Sequence, residues 1–81
     1  MTYDRCEISL CDLGVGEEGT VSKIAVFGGL RRRLLDLGLL TGSCVTCVGR
    51  SPFGDPGAYL IRGAVIALRN TDCKNIFVIR T

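Results

Sequence analysis

Apolar residues in this chain fall into short alternating runs punctuated by glycine at 14, 16, 19, 28, 29, 38, 42, 49, 54, 57 and 63. The runs between glycines are rich in β-branched residues, which predicts a small barrel or sandwich with one helical insertion. Ile8 to Leu13 reads as a first strand or lead-in, followed by a turn over 14–19. Thr20 to Phe27 reads as a strand ending at the Gly28-Gly29 pair, which we take as a flexible joint. The period then changes. Leu30, Leu34 and Leu37 recur at i, i+4 and i+7, the single apolar stripe of a helix over 30–37. Gly38 stands where a left-handed C-cap belongs. A helix this short, with no side-chain N-cap, depends on docking its leucines.

After the turn Leu39 to Gly42, Ser43 to Arg50 reads as a strand, and Ser51 to Gly57 as a loop dense in turn residues. Ala58 to Arg62 and Ala64 to Arg69 form two strands pivoting about Gly63, and Ile76 to Ile79 a final strand. The polar segment Asn70 to Asn75 suits a turn or a single 3₁₀ turn. Five or six short strands with one short inserted α-helix make a mainly β fold, and closure of the sheet removes exposed edges. Residues 1–81 are expected to form one domain.

Composition narrows the function. With 81 residues, 47% of them hydrophobic, the chain can bury about 60% of its surface around a single core. A net charge of +2 argues neither for nucleic acid nor for an anionic membrane. The apolar run Gly63 to Leu68 falls far short of the roughly 20 residues of a membrane span. There is no histidine, which removes a His-based triad, a His-ligated metal and the usual proton shuttle near pH 7. Glu17-Glu18 read as solvated turn residues, and no carboxylate pair stands as acid and base. We expect no enzyme and no cofactor.

Cysteines stand at 6, 11, 44, 47 and 73, an odd number that makes no closed disulfide framework. The opening MTYDRCEISL has an acid and an arginine where a secretory leader needs apolar residues, so a cytoplasmic setting with reduced thiols is expected. Cys44-Val-Thr-Cys47 has the spacing of a metal knuckle, but it lies in a strand, where residues three apart face opposite ways. Cysteine as a small apolar filler is the simpler reading, with no metal site. Cys6 and Cys73 are expected at the surface. Arg31-Arg32-Arg33 point in three directions from a helix and read as a solvated face or a basic docking surface. Gly28-Gly29 lacks the pattern of a phosphate-binding loop.

One ordered set of motifs is more specific. Arg33-Leu34-Leu35-Asp36-Leu37-Gly38-Leu39, then Gly42 and a strand, then Ser51-Pro52-Phe53-Gly54-Asp55-Pro56, resembles the FeoA family. Ile61-Arg62-Gly63, Ala67-Leu68-Arg69 and the upstream segment 11–21 extend the resemblance over residues 7–79. Thr41 departs from the proline usual there, Phe53 from an aliphatic residue, and five cysteines are unusual. The resemblance implies an SH3-like β-barrel and a cytoplasmic accessory role in ferrous iron uptake, beside the membrane transporter FeoB. Leu34, Leu35, Leu37, Gly38, Gly42, Gly54, Asp55 and Pro56 would shape the fold, the Asp55 carboxylate bonding its own backbone. Arg31, Arg32, Leu39, Leu40 and Phe53 are the candidate partner contacts. Two competing readings remain: a regulatory domain like those of iron-dependent repressors, and a thiol-based metal sensor using Cys44 or Cys47 with Cys11 or Cys73. Proline-rich ligands find little support, because only Tyr3 and Tyr59 offer tyrosine rings and there is no tryptophan.

Overall fold

The computed structural model describes residues 7–80. In chain order the elements are β1 (Glu7–Ser9), a 3₁₀ turn (Leu10–Asp12), β2 (Glu18–Ile24), α1 (Gly28–Asp36), β3 (Cys44–Arg50), β4 (Gly57–Ile61), β5 (Ala64–Leu68), α2 (Asn70–Cys73) and β6 (Ile76–Arg80). The strands form one antiparallel sheet in the order β1-β6-β2-β3-β4-β5. Period-two alternation sends Val21, Val45, Tyr59, Ile61, Ile76 and Val78 inward. Tyr59 and Ile61 of β4 share one core with Ile76 and Val78 of β6, although β2 and β3 separate those strands in the order. The sheet therefore wraps around its own inner face. Register shifts at Val21/Lys23 and Cys47/Gly49 add the local bend that such wrapping needs.

Several expectations shift. The strand expected over 20–27 lies at Glu18–Ile24, because Gly19 and Thr20 pair with both β3 and β6. Only the first part of the expected lead-in strand is extended; Leu10–Asp12 winds into a 3₁₀ turn that buries Leu10. The helix takes in Gly28 and Gly29 and ends at Asp36. Asn70–Cys73 is one α-helical turn. The expected closure of the sheet is incomplete: among the described residues β1 and β5 form no ladder with each other. Glu17 is not simply solvated, since its Oε1 accepts the Gly14 N–H at 2.7 Å and meets Arg80 Nε at 3.4 Å.

The exit from α1 shows why the Leu-Leu-x-Leu-Gly-Leu string matters. Leu37 is the last residue with right-handed angles, and Gly38 follows at φ +100°. Gly38 N–H donates to Leu35 O at 3.0 Å and Leu39 N–H to Leu34 O at 2.9 Å. These crossed bonds satisfy carbonyls that a helix end leaves open, and Leu34 and Leu39 both enter the core. The Arg62 side chain lies over Gly38, so a Cβ there would overlap Arg62 Cδ. Arg62 comes from the two-residue turn between β4 and β5, where Arg62 (φ 50°) and Gly63 (φ 83°) both adopt the positive φ of a type I′ hairpin. The helix end and the hairpin tip are thus packed together. Gly38→Ala is expected to destabilise the protein by about 1–2 kcal/mol through the left-handed backbone alone, read as a lower urea midpoint at unchanged slope.

Candidate partner-binding surface

On α1, Leu34 is buried while Arg31, Arg32, Arg33, Leu35 and Asp36 face outward. Arg31 Nη1 donates to Ile24 O at 3.0 Å, which holds the start of the helix against the end of β2. Two shallow grooves flank this contact. One, of about 420 Å³, is lined by Gly28, Gly29, Arg31, Arg32, Leu35 and Asp36. The other, of about 400 Å³, is lined by Ser22, Lys23, Ile24, Arg31, Leu35, Leu40 and Thr41. Because Arg31 and Leu35 line both, the grooves form one continuous surface. It combines exposed apolar groups, Leu40 at 46% and Leu35 at 36%, with the cations of Lys23, Arg31 and Arg32 against the single acid Asp36. Phe27, 84% exposed, adjoins it immediately before the helix. Among the described residues no salt bridge reaches the three helix arginines. Such a surface suits a partner that offers apolar groups beside acidic ones.

The structure brings Arg31, Arg32 and Leu40 together, but not the other two candidates. Leu39 is fully buried, because the crossed bonds after α1 turn it under the helix. It takes no part in any surface. Phe53 is 94% exposed yet lies beyond the far end of β3 from α1, roughly 20 Å away by the length of that strand. Phe27, Leu35 and Lys23 join this surface although no motif in the sequence marks them as contacts. Leu35 belongs to the fold motif but stands off the Leu30-Leu34-Leu37 stripe and points outward. Phe27, expected at the end of a strand, lies beyond it because β2 stops at Ile24.

The Pro-Phe-Gly-Asp-Pro loop has its own framework. Gly54 N–H donates to Ser51 O at 2.8 Å, Ser51 N–H to Pro56 O at 3.1 Å, and Ser51 Oγ to Asp55 O at 2.7 Å. The Asp55–Pro56 peptide is cis. The Asp55 carboxylate reaches outside the loop: its Oδ1 accepts the N–H of Asn70, the first residue of α2, at 3.0 Å. This corrects the expectation that Asp55 bonds its own backbone. The motif ties the β3–β4 loop to the helical turn that leads into β6.

Two of the described thiols, Cys47 and Cys73, occupy the inner side. Cys47 is buried and Cys44 exposed, on opposite faces of β3 as alternation requires. Cys73 is fully buried, not exposed: α2 turns it into the core while Thr71 and Lys74 stay outside. Cys6 and Tyr3 lie outside the described residues. Burial pushes the Cys73 thiol up to about 11 from an ordinary 9.0, although its contact with Tyr59 acts the other way. Burial first, then the neighbouring Cys73 thiol, also raises the Tyr59 hydroxyl. That hydroxyl has no hydrogen bond of good geometry among the described residues, so Cys73 is an electrostatic neighbour more than a partner. The buried ring presents nothing to a proline-rich ligand. Arg50 Nη2 donates to the carbonyls of Cys11 and Leu13, both at 2.7 Å, and clamps the 3₁₀ turn to β3. Among the described residues no three Cys, Asp or Glu side chains gather into a group able to hold a metal ion.

Comparison with known proteins follows the same lines. Residues 8–80 match the family model described as the FeoA domain. A curated relative, the Fe(2+) transport protein A/Fe(2+) transporter FeoB fusion protein of Porphyromonas gingivalis, is 30% identical over 69 residues. That match takes in 85% of this chain but only 8% of the relative's length. The solution structure of FeoA from Chlorobium tepidum superposes with a TM-score of 0.86 at 30% identity, covering 90% of this chain and 70% of that one. Stenotrophomonas maltophilia FeoA complexed with zinc, described as a procaryotic SH3 domain protein, gives 0.76 at 25% identity and 88% of each chain. A manganese-dependent transcriptional repressor gives 0.82 at 20% identity, over 100% of this chain and 45% of that one, a likeness of fold alone. The fold is an SH3-like β-barrel with a short helix inserted between β2 and β3.

The Cys73 shift has a pH signature. Its folded pKa lies above the unfolded value, so the folded state keeps a proton that the unfolded chain releases between pH 9 and 11. The resulting stability is fully present below pH 9 and is lost as pH rises toward 11. The raised Tyr59 hydroxyl adds a loss of the same sign that begins above pH 10, within this window, and continues beyond it. Urea midpoints are expected to fall across this window, and to fall less steeply in Cys73→Ala than in the parent.

Proposed function

The chain belongs to the FeoA domain family, and from that premise we propose that it is a cytoplasmic accessory module of ferrous iron uptake that docks on a FeoB-type transporter through the α1 face. The observation that carries this reading is the Porphyromonas gingivalis relative, in which a segment like this chain and an Fe(2+) transporter share one polypeptide. Fusion holds two modules at high effective concentration, an arrangement useful to modules that work in contact. The surface chemistry supports the same reading. Leu35, Leu40 and Phe27 supply apolar area that stays exposed in the free protein, and Lys23, Arg31 and Arg32 supply charge to orient an acidic partner. No helix among the described residues is long and apolar enough to cross a membrane, so the contact is assigned to the transporter's soluble side. The role is binding and modulation, with no reaction assigned to the chain. Likeness to the repressors rests on fold and adds no function of its own.

Phe53 enters this reading as a separate contact, set apart from the α1 face by the length of β3. Arg32→Glu combined with Leu40→Asp is expected to reduce co-purification with the transporter by about tenfold or more, with a parallel loss of iron uptake. Both side chains are exposed, so the variant keeps its fold. Full retention of binding and uptake by this double variant would sink the α1 surface, and the same outcome for Phe53→Ala would remove the loop contact.

A further inference from the structure

The edge strand β5 reads Ala64-Val-Ile-Ala-Leu68, with no charge, proline or glycine. Such an edge lacks the devices by which sheets discourage pairing with another chain. Among the described residues β5 pairs with β4 alone, and none of its backbone groups bonds elsewhere. The two-residue hairpin fixes which groups are left over. Ile61 and Ala64 close the turn, so the exchanged bonds fall at Ile61–Ala64, Tyr59–Ile66 and Gly57–Leu68. Val65 and Ala67 then direct both N–H and C=O away from β4, toward open solvent. Their side chains belong to the outer face, where Val65 is 61% exposed and its cross-strand partner Leu60 is 36% exposed. Val48, 43% exposed at the β3 irregularity, extends this apolar outer face.

We propose that β5 pairs antiparallel with β5 of a second copy of this chain, making a two-fold dimer whose sheets are continuous. The register follows from the free groups. Centring the pair on Ile66 sets Val65 of one copy opposite Ala67 of the other, and Ala67 opposite Val65. At both places the outward N–H and C=O meet their complements. Self-pairing is otherwise opposed by like charges at flanking positions. Here Arg69 falls opposite Gly63 of the second copy, and Arg62 opposite Asn70, so no arginine faces an arginine. Two-fold symmetry also brings the Val65 side chains of the two copies to diagonal positions on the outer face, where they extend one apolar strip. A charged edge would not be self-complementary in this way, whereas this one is. The surface is distinct from the α1 face and does not depend on the proposed transporter contact.

Sedimentation equilibrium of the intact chain, from about 10 μM to about 1 mM, reads the result as mass. Expected is a rise from 8.7 kDa toward twice that value with concentration. Amide exchange at Val65 and Ala67 is expected to slow in step with it. Ala67→Pro removes an outward N–H at an edge position, where the monomer tolerates proline. Val65→Lys instead places two lysines diagonally across the pair. Each is expected to weaken dimerisation by about tenfold or more, while Arg32→Glu leaves it unchanged. A chain that stays monomeric throughout, a dimer that survives both edge variants, or a dimer whose Val65 and Ala67 amides exchange freely would overturn the proposal. Should Ala67→Pro fail to fold, Val65→Lys decides the matter alone.

Discussion

The structure depends on the position of its last strand. β6 lies between β1 and β2, with Val78 paired to Ile8 on one side and to Val21 on the other. Among the described residues the core is the inner face of one sheet wrapped on itself. That wrapping is possible only when the C-terminal residues return beside the N-terminal ones. Arg50, Asp55 and Glu17 serve the same closure from the periphery. Arg50 clamps the 3₁₀ turn to β3, Asp55 ties the β3–β4 loop to α2, and Glu17 reaches Arg80 at the end of β6.

Once the sheet has wrapped on itself, α1 becomes an outrigger whose attachment is local. Its inner contact is Leu34, its exit is held by Gly38 and Leu39, and its start by Arg31 on the Ile24 carbonyl. With the helix pinned at both ends, Leu35, Arg32 and the following Leu40 are left outward on a rigid support. Rigid presentation lowers the entropy lost on binding, which favours such a face as a recognition surface. The inner thiols have the reverse character. Cys47 and Cys73 are packed where small apolar groups are needed, and burial keeps the Cys73 thiol protonated well beyond neutral pH. Reactive cysteines have lowered pKa values, so this one is built to be inert.

Much of the fold was readable from local pattern. The Gly38 stop and the Gly63 pivot each express a constraint acting within a few residues, and each is present in the structure. Of the Leu30-Leu34-Leu37 stripe, Leu34 is buried, Leu30 packs against the core and Leu37 lies half-buried just past the helix end. Local pattern misleads where a residue's neighbour lies far off in the chain. Cys73 sits in a polar stretch that favours exposure, but α2 is tethered by Asp55 and the thiol is buried. Asp55 itself suggested a bond to its own loop, when its acceptor role serves Asn70, 15 residues on. Leu39 and Leu40 are adjacent and chemically alike, yet one is fully buried and the other about half exposed.

By itself, the sequence determined the class of protein: a mainly β domain with one inserted helix, a family resemblance carried by ordered Gly, Pro and Leu motifs, and no histidine chemistry. Those features follow from periodicity, backbone permissiveness and side-chain inventory, all of which are local or compositional. Tertiary structure alone decided which leucine is left exposed, which thiols are buried, and which strand ends the sheet. Those outcomes depend on what residues from distant parts of the chain cover or leave bare. An apolar side chain carries the same hydrophobic drive in either setting, and only the wrapped sheet decides where that drive is already satisfied.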